Sequence, residues 1–161
     1  ATHPYSSRWY QWIVDGRPIL YYLEYFDDNT KSVIGAFLSP LLCWSGLLAM
    51  IGTGILAFKK RDGRAMFILI GFLAQLLPWV FITRVTFEYH YFPASVFLIL
   101  AIFLMFDESR KANLPNWRRN MILITALSVV LFAAFYPVLS GMRVSEWYSA
   151  HFLKWLPSWP F

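Results

Sequence analysis

The chain predicts an all-α integral membrane fold: four transmembrane helices, an aromatic-rich extracytoplasmic N-terminal segment and an interfacial C-terminal tail. Three observations carry this reading. Four long runs, Ser32–Phe58, Ala65–Thr83, Tyr89–Phe106 and Asn120–Met142, contain no Asp, Glu, Lys or Arg, and a bilayer core needs about 20 mainly apolar residues as helix. Hydrophobic residues make up 58% of the chain and charged residues 14%, against roughly 25% charged in soluble domains. The net charge of +5 is confined to two places. Lys59, Lys60, Arg61 and Arg64 lie between the first two runs, and Arg110, Lys111, Arg118 and Arg119 between the last two. The positive-inside rule puts those loops in the cytoplasm and both termini outside or in a lumen. Because the whole excess is topological, nucleic acid is excluded as a partner.

The predicted order is one membrane module. Residues 1–31 form an extracytoplasmic preamble, residues 32–58, 65–84, 89–106 and 120–142 the spans, and residues 143–161 an extracytoplasmic tail. The preamble lacks an apolar core behind a basic start, so the reading is a cleaved upstream signal or the back end of a larger polypeptide. Its aromatics suit the headgroup zone, with Ser7–Val14 as a short interfacial helix broken at Arg17-Pro18. Ile19–Phe26 is extended or helical, and Asp27-Asp28-Asn29-Thr30 is a polar turn. In the first span Ser45, Ala49 and Thr53 recur every fourth residue, the spacing of a close packing seam. The tail, with Trp147, Tyr148, Phe152, Trp155, Trp159 and Phe161, reads as lying along the outer surface. Cys43 is the single cysteine, so no intramolecular disulfide forms.

Candidate chemistry collects in two motifs. Arg84-Val-Thr-Phe-Glu88-Tyr89-His90-Tyr91-Phe-Pro93 joins the second and third spans. Continued as helix, it would pair Arg84 with Glu88 four residues on. An ionisable group near membrane depth is costly and marks a functional site; Arg84 and His90 could together hold a phosphate, the guanidinium as a bidentate fork. The alternative is interfacial anchoring by Arg84, with His90 bonded to a neighbouring loop. The second motif is His3-Pro-Tyr5-Ser-Ser-Arg-Trp9-Tyr-Gln-Trp12 followed by Arg17-Pro18. Its aromatics could stack on sugar rings and Arg17 could meet an anion, or the segment could simply anchor in headgroups. His3 and His90 are too few to argue a metal site, and Ser6, Ser7 and Cys43 lack the base a nucleophile needs. Pro40, Pro78, Pro93 and Pro137 each fall in the outer half of a span, which suggests spans opened around an outer cavity.

In these two motifs the chain resembles the C-terminal four-span region of protein O-mannosyltransferases, polytopic glycosyltransferases that use a lipid carrier. The residues are His3-Pro-Tyr-Ser-Ser, Trp9, Trp12 and Arg17-Pro18 in the first, and Arg84, Phe87, Tyr89-His90-Tyr91 and Pro93 in the second, with a Trp-Leu-Pro-Ser-Trp-Pro-Phe ending. One departure is Ile13-Val14 after Trp12, where many members place a proline. The resemblance implies transfer of mannose from a polyprenyl- or dolichyl-phosphate sugar to Ser or Thr of a protein, in a bacterial plasma membrane or the endoplasmic reticulum. The family's acidic catalytic pair lies in the N-terminal half, absent here, so that half is an implied partner and Glu24, Asp27 and Asp28 take no such role. His3, Tyr5, Trp9, Trp12, Arg17, Arg84, Tyr89, His90 and Tyr91 are then candidates for binding the lipid-phosphate sugar, with no catalytic residue or metal assigned. The alternative is a stand-alone four-span protein that binds lipid or a partner without catalysis. A small transporter is weaker, since no span carries a buried carboxylate or charge relay.

Overall fold

The structure is a computed structural model that describes residues 3–161. Backbone contacts divide the chain into two compact units. One comprises residues through Phe37 with Arg84–His90 and Val129–Phe161; the other comprises Leu38–Thr83 and Tyr91–Ser128.

The second unit is helical. Its helices are α2 (Pro40–Lys59), α3 (Gly63–Leu76), α4 (Phe92–Lys111) and the first half of α5 (Trp117–Ser140), preceded in chain order by the single-turn α1 (Trp9–Trp12) of the other unit. Four helices are long and apolar enough to cross a bilayer, and the protein is an integral membrane protein with the mostly helical fold expected. Of the predicted seam on α2, Ala49 and Thr53 are buried, Gly46 and Ala57 with them, while Ser45 is half-buried. Gly46 lets α4 approach so closely that an added Cβ would lie 2.6 Å from Leu98 Cβ. The α2–α3 turn closes on Asp62, whose carboxylate accepts from the Arg64 and Ala65 N–H groups at 2.8 and 3.1 Å. The Arg64 guanidinium also bridges to Asp107 and Glu108 on α4, each at 2.8 Å. The Arg64 side chain, and then the Ala65 N–H, draw Asp62 down to about 2. A carboxyl held below its unfolded value stabilises the fold fully above that value, and this contribution drains away as pH falls toward about 2.

The span boundaries differ from the charge-free runs. Residues 32–39 are not helical: α2 starts at Pro40, where proline's fixed φ and missing N–H suit a first turn. The second span is α-helical only to Leu76 and continues as a 3-10 turn, Leu77–Phe81, around Pro78. Pro93 likewise sits in the first turn of α4, and only Pro137 is inside a helix. The prolines therefore start and end helices rather than opening four spans at one level. A small apolar cleft of about 140 Å³ does lie between the first turns of α2 and α4, lined by Leu42, Leu98 and Ile99 with Ser39 and Ser95 at its edge.

The first unit contains what the apolar runs did not reveal, a three-stranded antiparallel sheet in the order β1 (Ile19–Tyr25), β2 (Thr30–Ala36), β3 (Arg143–Ser145). Ile19–Phe26, unresolved between strand and helix, is strand. It turns back through Asn29, whose φ is +56°, while Asp28 accepts from the Thr30 N–H at 3.2 Å. Register runs from Ile19 opposite Ala36 to Tyr25 opposite Lys31, with an irregularity between Leu20 and Tyr22. Gly141, at φ +78°, turns α5 into β3, and its carbonyl accepts from Ser32 Oγ at 2.6 Å. The tail is not simply interfacial: Trp159 and Phe161 are fully buried with Leu20, Val33, Phe135, Val138 and Leu153 in the core of this unit, although Trp147, Phe152 and Trp155 stay exposed.

The glycine seam gives a direct prediction. Gly46→Ala should lower stability in detergent by about 1–3 kcal/mol, because Leu98 is backed by helix and cannot withdraw freely. Gly54→Ala, which meets nothing within 4 Å, should be neutral or stabilise by up to about 1 kcal/mol. Thermal unfolding of the two variants side by side tests both.

Candidate functional site

Arg84–Tyr91 is not a helical continuation of the second span. β-branched Val85 and Thr86 follow the 3-10 turn, and the chain becomes helical again only at Glu88–Tyr91, a 3-10 turn ahead of α4. The predicted Arg84–Glu88 pair is therefore absent. Arg84 is exposed and makes no hydrogen bond or ion pair among the described residues. Glu88 is fully buried beside the equally buried Asp15.

The N-terminal segment is fastened across this loop. The Ser7 N–H donates to the Thr86 carbonyl at 2.9 Å, and the Thr86 hydroxyl donates to the Ser7 carbonyl at 2.6 Å. Ser7 Oγ in turn accepts from the Trp12 indole N–H at 2.8 Å, and Trp12 has no exposed surface. The single turn of α1 that aims Trp12 inward is capped by Gln11 Oε1, which accepts from the Arg8 N–H at 2.8 Å. Asp15, in the left-handed region at φ +55°, ends the segment, and its carbonyl accepts from the Trp159 indole at 2.8 Å. The Ser7–Val14 stretch is thus a docked segment with one helical turn rather than a helix lying in headgroups.

The docking produces a run of aromatic rings. His3 meets Phe87 edge-on at 5.0 Å, Phe87 stacks on Tyr89 at 5.6 Å, Tyr89 on His90 at 4.3 Å, and His90 on Trp12 at 6.0 Å with the planes 18° apart. His90 Nδ1 lies 2.8 Å from the Phe87 carbonyl, which fixes the ring in place. Tyr21 of β1 borders the same group: partial burial, and then the nearby Tyr89 phenol, push its hydroxyl above the usual tyrosine range.

Of the nine residues the sequence singled out, His3, Trp12, Tyr89 and His90 therefore come together. Arg17 serves the segment's own shape, its guanidinium donating to the Pro4 carbonyl at 2.8 Å. Tyr5 packs against the hydrophobic core of the first unit. Trp9 pairs edge-on with Tyr10. Tyr91 is fully buried in the second unit, edge-on to Phe72 at 6.2 Å. Phe87 and Tyr21 were missed, as were Thr86, Asp15 and Glu88. The signal for Thr86 was slight, a β-branched polar residue where the helix was assumed to continue.

Chemically the arrangement is suited to binding rather than to proton transfer. It offers an unopposed guanidinium at one end of the loop and flat aromatic faces along it. Asp15 and Glu88 are fully buried, and of the exposed acids of the hairpin Asp28 is engaged with Thr30 and, at 4.0 Å, Arg143, and Glu24 with the Tyr22 hydroxyl. Among the described residues no group of three or more His, Cys, Asp or Glu is placed to hold a metal.

Comparison with known proteins agrees with the four-span membrane fold. A family model described as the C-terminal four-span region of protein O-mannosyltransferase matches residues 1–159. A polyprenol-phosphate-mannose–protein mannosyltransferase of Mycolicibacterium smegmatis is 30% identical over 98% of this chain and 33% of its own length. The Mycobacterium tuberculosis protein of the same name is 30% identical over 98% of the chain and 32% of its own length. Protein O-mannosyl-transferase 2 of Drosophila pseudoobscura pseudoobscura is 36% identical over 64% of the chain and 15% of its own length. The chain thus spans about a third of the length of the bacterial relatives it matches. In the solved Saccharomyces cerevisiae protein O-mannosyltransferase Pmt1–Pmt2 complex bound to the sugar donor, one chain superposes with a TM-score of 0.80 at 22% identity, covering 100% of this chain and 24% of that one. At that identity the likeness establishes the fold.

If Trp12 holds the segment on the loop, Trp12→Ala should cost about 3–5 kcal/mol locally. The expected readout is faster proteolysis within residues 3–18, with helix content by circular dichroism unchanged.

Proposed function

The chain belongs to the family of the C-terminal four-span region of protein O-mannosyltransferases, and on that premise we propose that it forms the carrier-binding part of such an enzyme. The enzyme would move mannose from a polyprenyl- or dolichyl-phosphate carrier to a Ser or Thr hydroxyl of a protein. In that reaction the bond between the sugar's anomeric carbon and the phosphate oxygen breaks, a bond to the hydroxyl oxygen forms with inversion, and lipid phosphate leaves. A base must take the hydroxyl proton. Asp15 and Glu88, the acids packed beside the aromatic run, are fully buried, so the base would come from the remaining two thirds of a protein like the relatives, on the same or a separate chain. The partners are membrane lipid, the lipid-linked sugar and that other part.

The observation that carries the reading is Arg84. Exposed and without an acceptor among the described residues, its guanidinium is suited to a lipid phosphate, whose oxygens match the fork. The adjoining Tyr89, 39% exposed, would offer its ring to the sugar or the first isoprene units, while the fully buried Trp12 backs His90. His90, fixed by the Phe87 carbonyl and stacked between rings, would orient these groups. With the basic loops at Lys59–Arg64 and Arg110–Arg119 in the cytoplasm, this loop and both termini would lie on the outer side, where carrier and acceptor meet.

Arg84→Ala and His90→Ala should each lower mannosyl transfer by about tenfold to a hundredfold, the loss expected when a charge-assisted hydrogen bond is removed. Both proteins should remain inserted and folded. Arg84→Lys should recover only part of the loss, since an ammonium keeps the charge without the fork. Transfer at the unaltered rate in both alanine variants would sink the phosphate role.

A further inference from the structure

We propose that the outer edge of β1 is a docking strand for the acceptor polypeptide, which adds to the sheet in extended form and so presents its Ser or Thr beside Tyr89. The proposal deepens the mannosyltransferase reading and rests on it for the identity of the peptide.

β1 is the terminal strand of the sheet, and its seven residues make no backbone hydrogen bond except to β2 among the described residues. The register shows which groups are left over. The Phe26 N–H donates to the Thr30 carbonyl at 2.9 Å, which makes Phe26 and Thr30 a hydrogen-bonded pair. Antiparallel pairs alternate between bonded and non-bonded. Glu24 with Ser32 and Tyr22 with Ile34 are then bonded pairs, while Tyr25 with Lys31 and Leu23 with Val33 are not. The N–H and C=O groups of Leu23 and Tyr25 therefore point away from β2, spaced to receive a partner strand.

The edge is open as well as unpaired. Tyr21 is 58% exposed, Tyr22 42% and Tyr25 59%. Proteins guard long edges with lysine, proline, bulges or covering loops. Here the irregularity lies at the Leu20 end, and Tyr22–Tyr25 remain in regular register. At that end Tyr21 lies within electrostatic range of Tyr89, so a strand added along Leu23–Tyr25 and continued past Tyr21 extends toward the aromatic site.

A peptide acceptor suits this edge better than a second copy of the chain. Backbone pairing reads an extended chain with little regard to its side chains, and the proposed acceptor is a polypeptide. Two copies pairing antiparallel through both Leu23 and Tyr25 would set Glu24 directly opposite Glu24, and like charges directly opposite are destabilising.

The test uses the native-length polypeptide in nanodiscs, with polyprenyl-phosphate-mannose as donor and a synthetic Thr-rich peptide as acceptor. Tyr25→Pro removes an outward N–H without touching a bond to β2, and proline is tolerated on such an edge. Its KM for the peptide should rise about tenfold, with the donor KM unchanged. Tyr25→Ala, which keeps the N–H, should shift the peptide KM far less. An unchanged peptide KM in folded Tyr25→Pro protein would overturn the proposal. Independently, p-benzoylphenylalanine placed at Tyr22 should crosslink to the peptide on illumination. Capture of a second copy, of another part of the enzyme, or of nothing would overturn it. Peptide capture without any mannosyl transfer by the unaltered protein would leave the docking edge standing and refute the enzyme reading instead.

Discussion

The exchange of hydrogen bonds between Ser7 and Thr86, sealed by the buried indole of Trp12, is the interaction on which the site depends. Without it, the N-terminal segment and the loop between the second and third spans would be separate stretches of irregular chain. With it, polar backbone on both sides is satisfied and Trp12 is brought under His90. A buried tryptophan removes on the order of 150–250 Å² of surface from solvent, a large share of what a segment this short can bury. The same segment ends on the Asp15 carbonyl, which accepts from Trp159, so the extreme C-terminus of the chain locks its N-terminus. Residues more than a hundred positions apart thereby form one platform.

Much of the fold could be read from the amino acids because a bilayer imposes a blunt rule. Helices that cross it must exclude charge over about 20 residues, and the four runs between Ser32 and Met142 obey it. The rule reports solvent rather than backbone shape, which is why it failed at the edges. Ser32–Ala36 is as free of charge as the helix after it, yet these residues are strand in the sheet of the first unit. Pro40 marked the true start, and its place in a first helical turn was available from the residue alone. Tail aromatics posed a similar ambiguity. Trp159 and Trp147 look alike in sequence, but one closes the core and the other stays exposed.

The site was partly readable for a related reason. His90 and Trp12 stood out as unusual residues in their contexts, and the fold brings them into stacking distance. Tyr91 and Tyr5 looked equivalent to their neighbours but serve packing, since a ring beside a functional one points elsewhere as soon as the backbone turns. Glu88 was misplaced because the spacing from Arg84 has meaning only on a helix, and the helix stops before it. What the structure brings together is an exposed cation, a run of rings, a strand edge, and two acids, Asp15 and Glu88, that are fully buried.

Photolabelling of the native polypeptide with a donor lipid would test this account most directly. The probe is a polyprenyl-phosphate-mannose carrying a diazirine on its first isoprene unit, and the labelled peptides are located by mass spectrometry. Label on the segment Arg84–Pro93, competed away by unmodified donor, is the predicted result. Competable label found only elsewhere, with that segment untouched, would contradict the assignment of this loop as the carrier site.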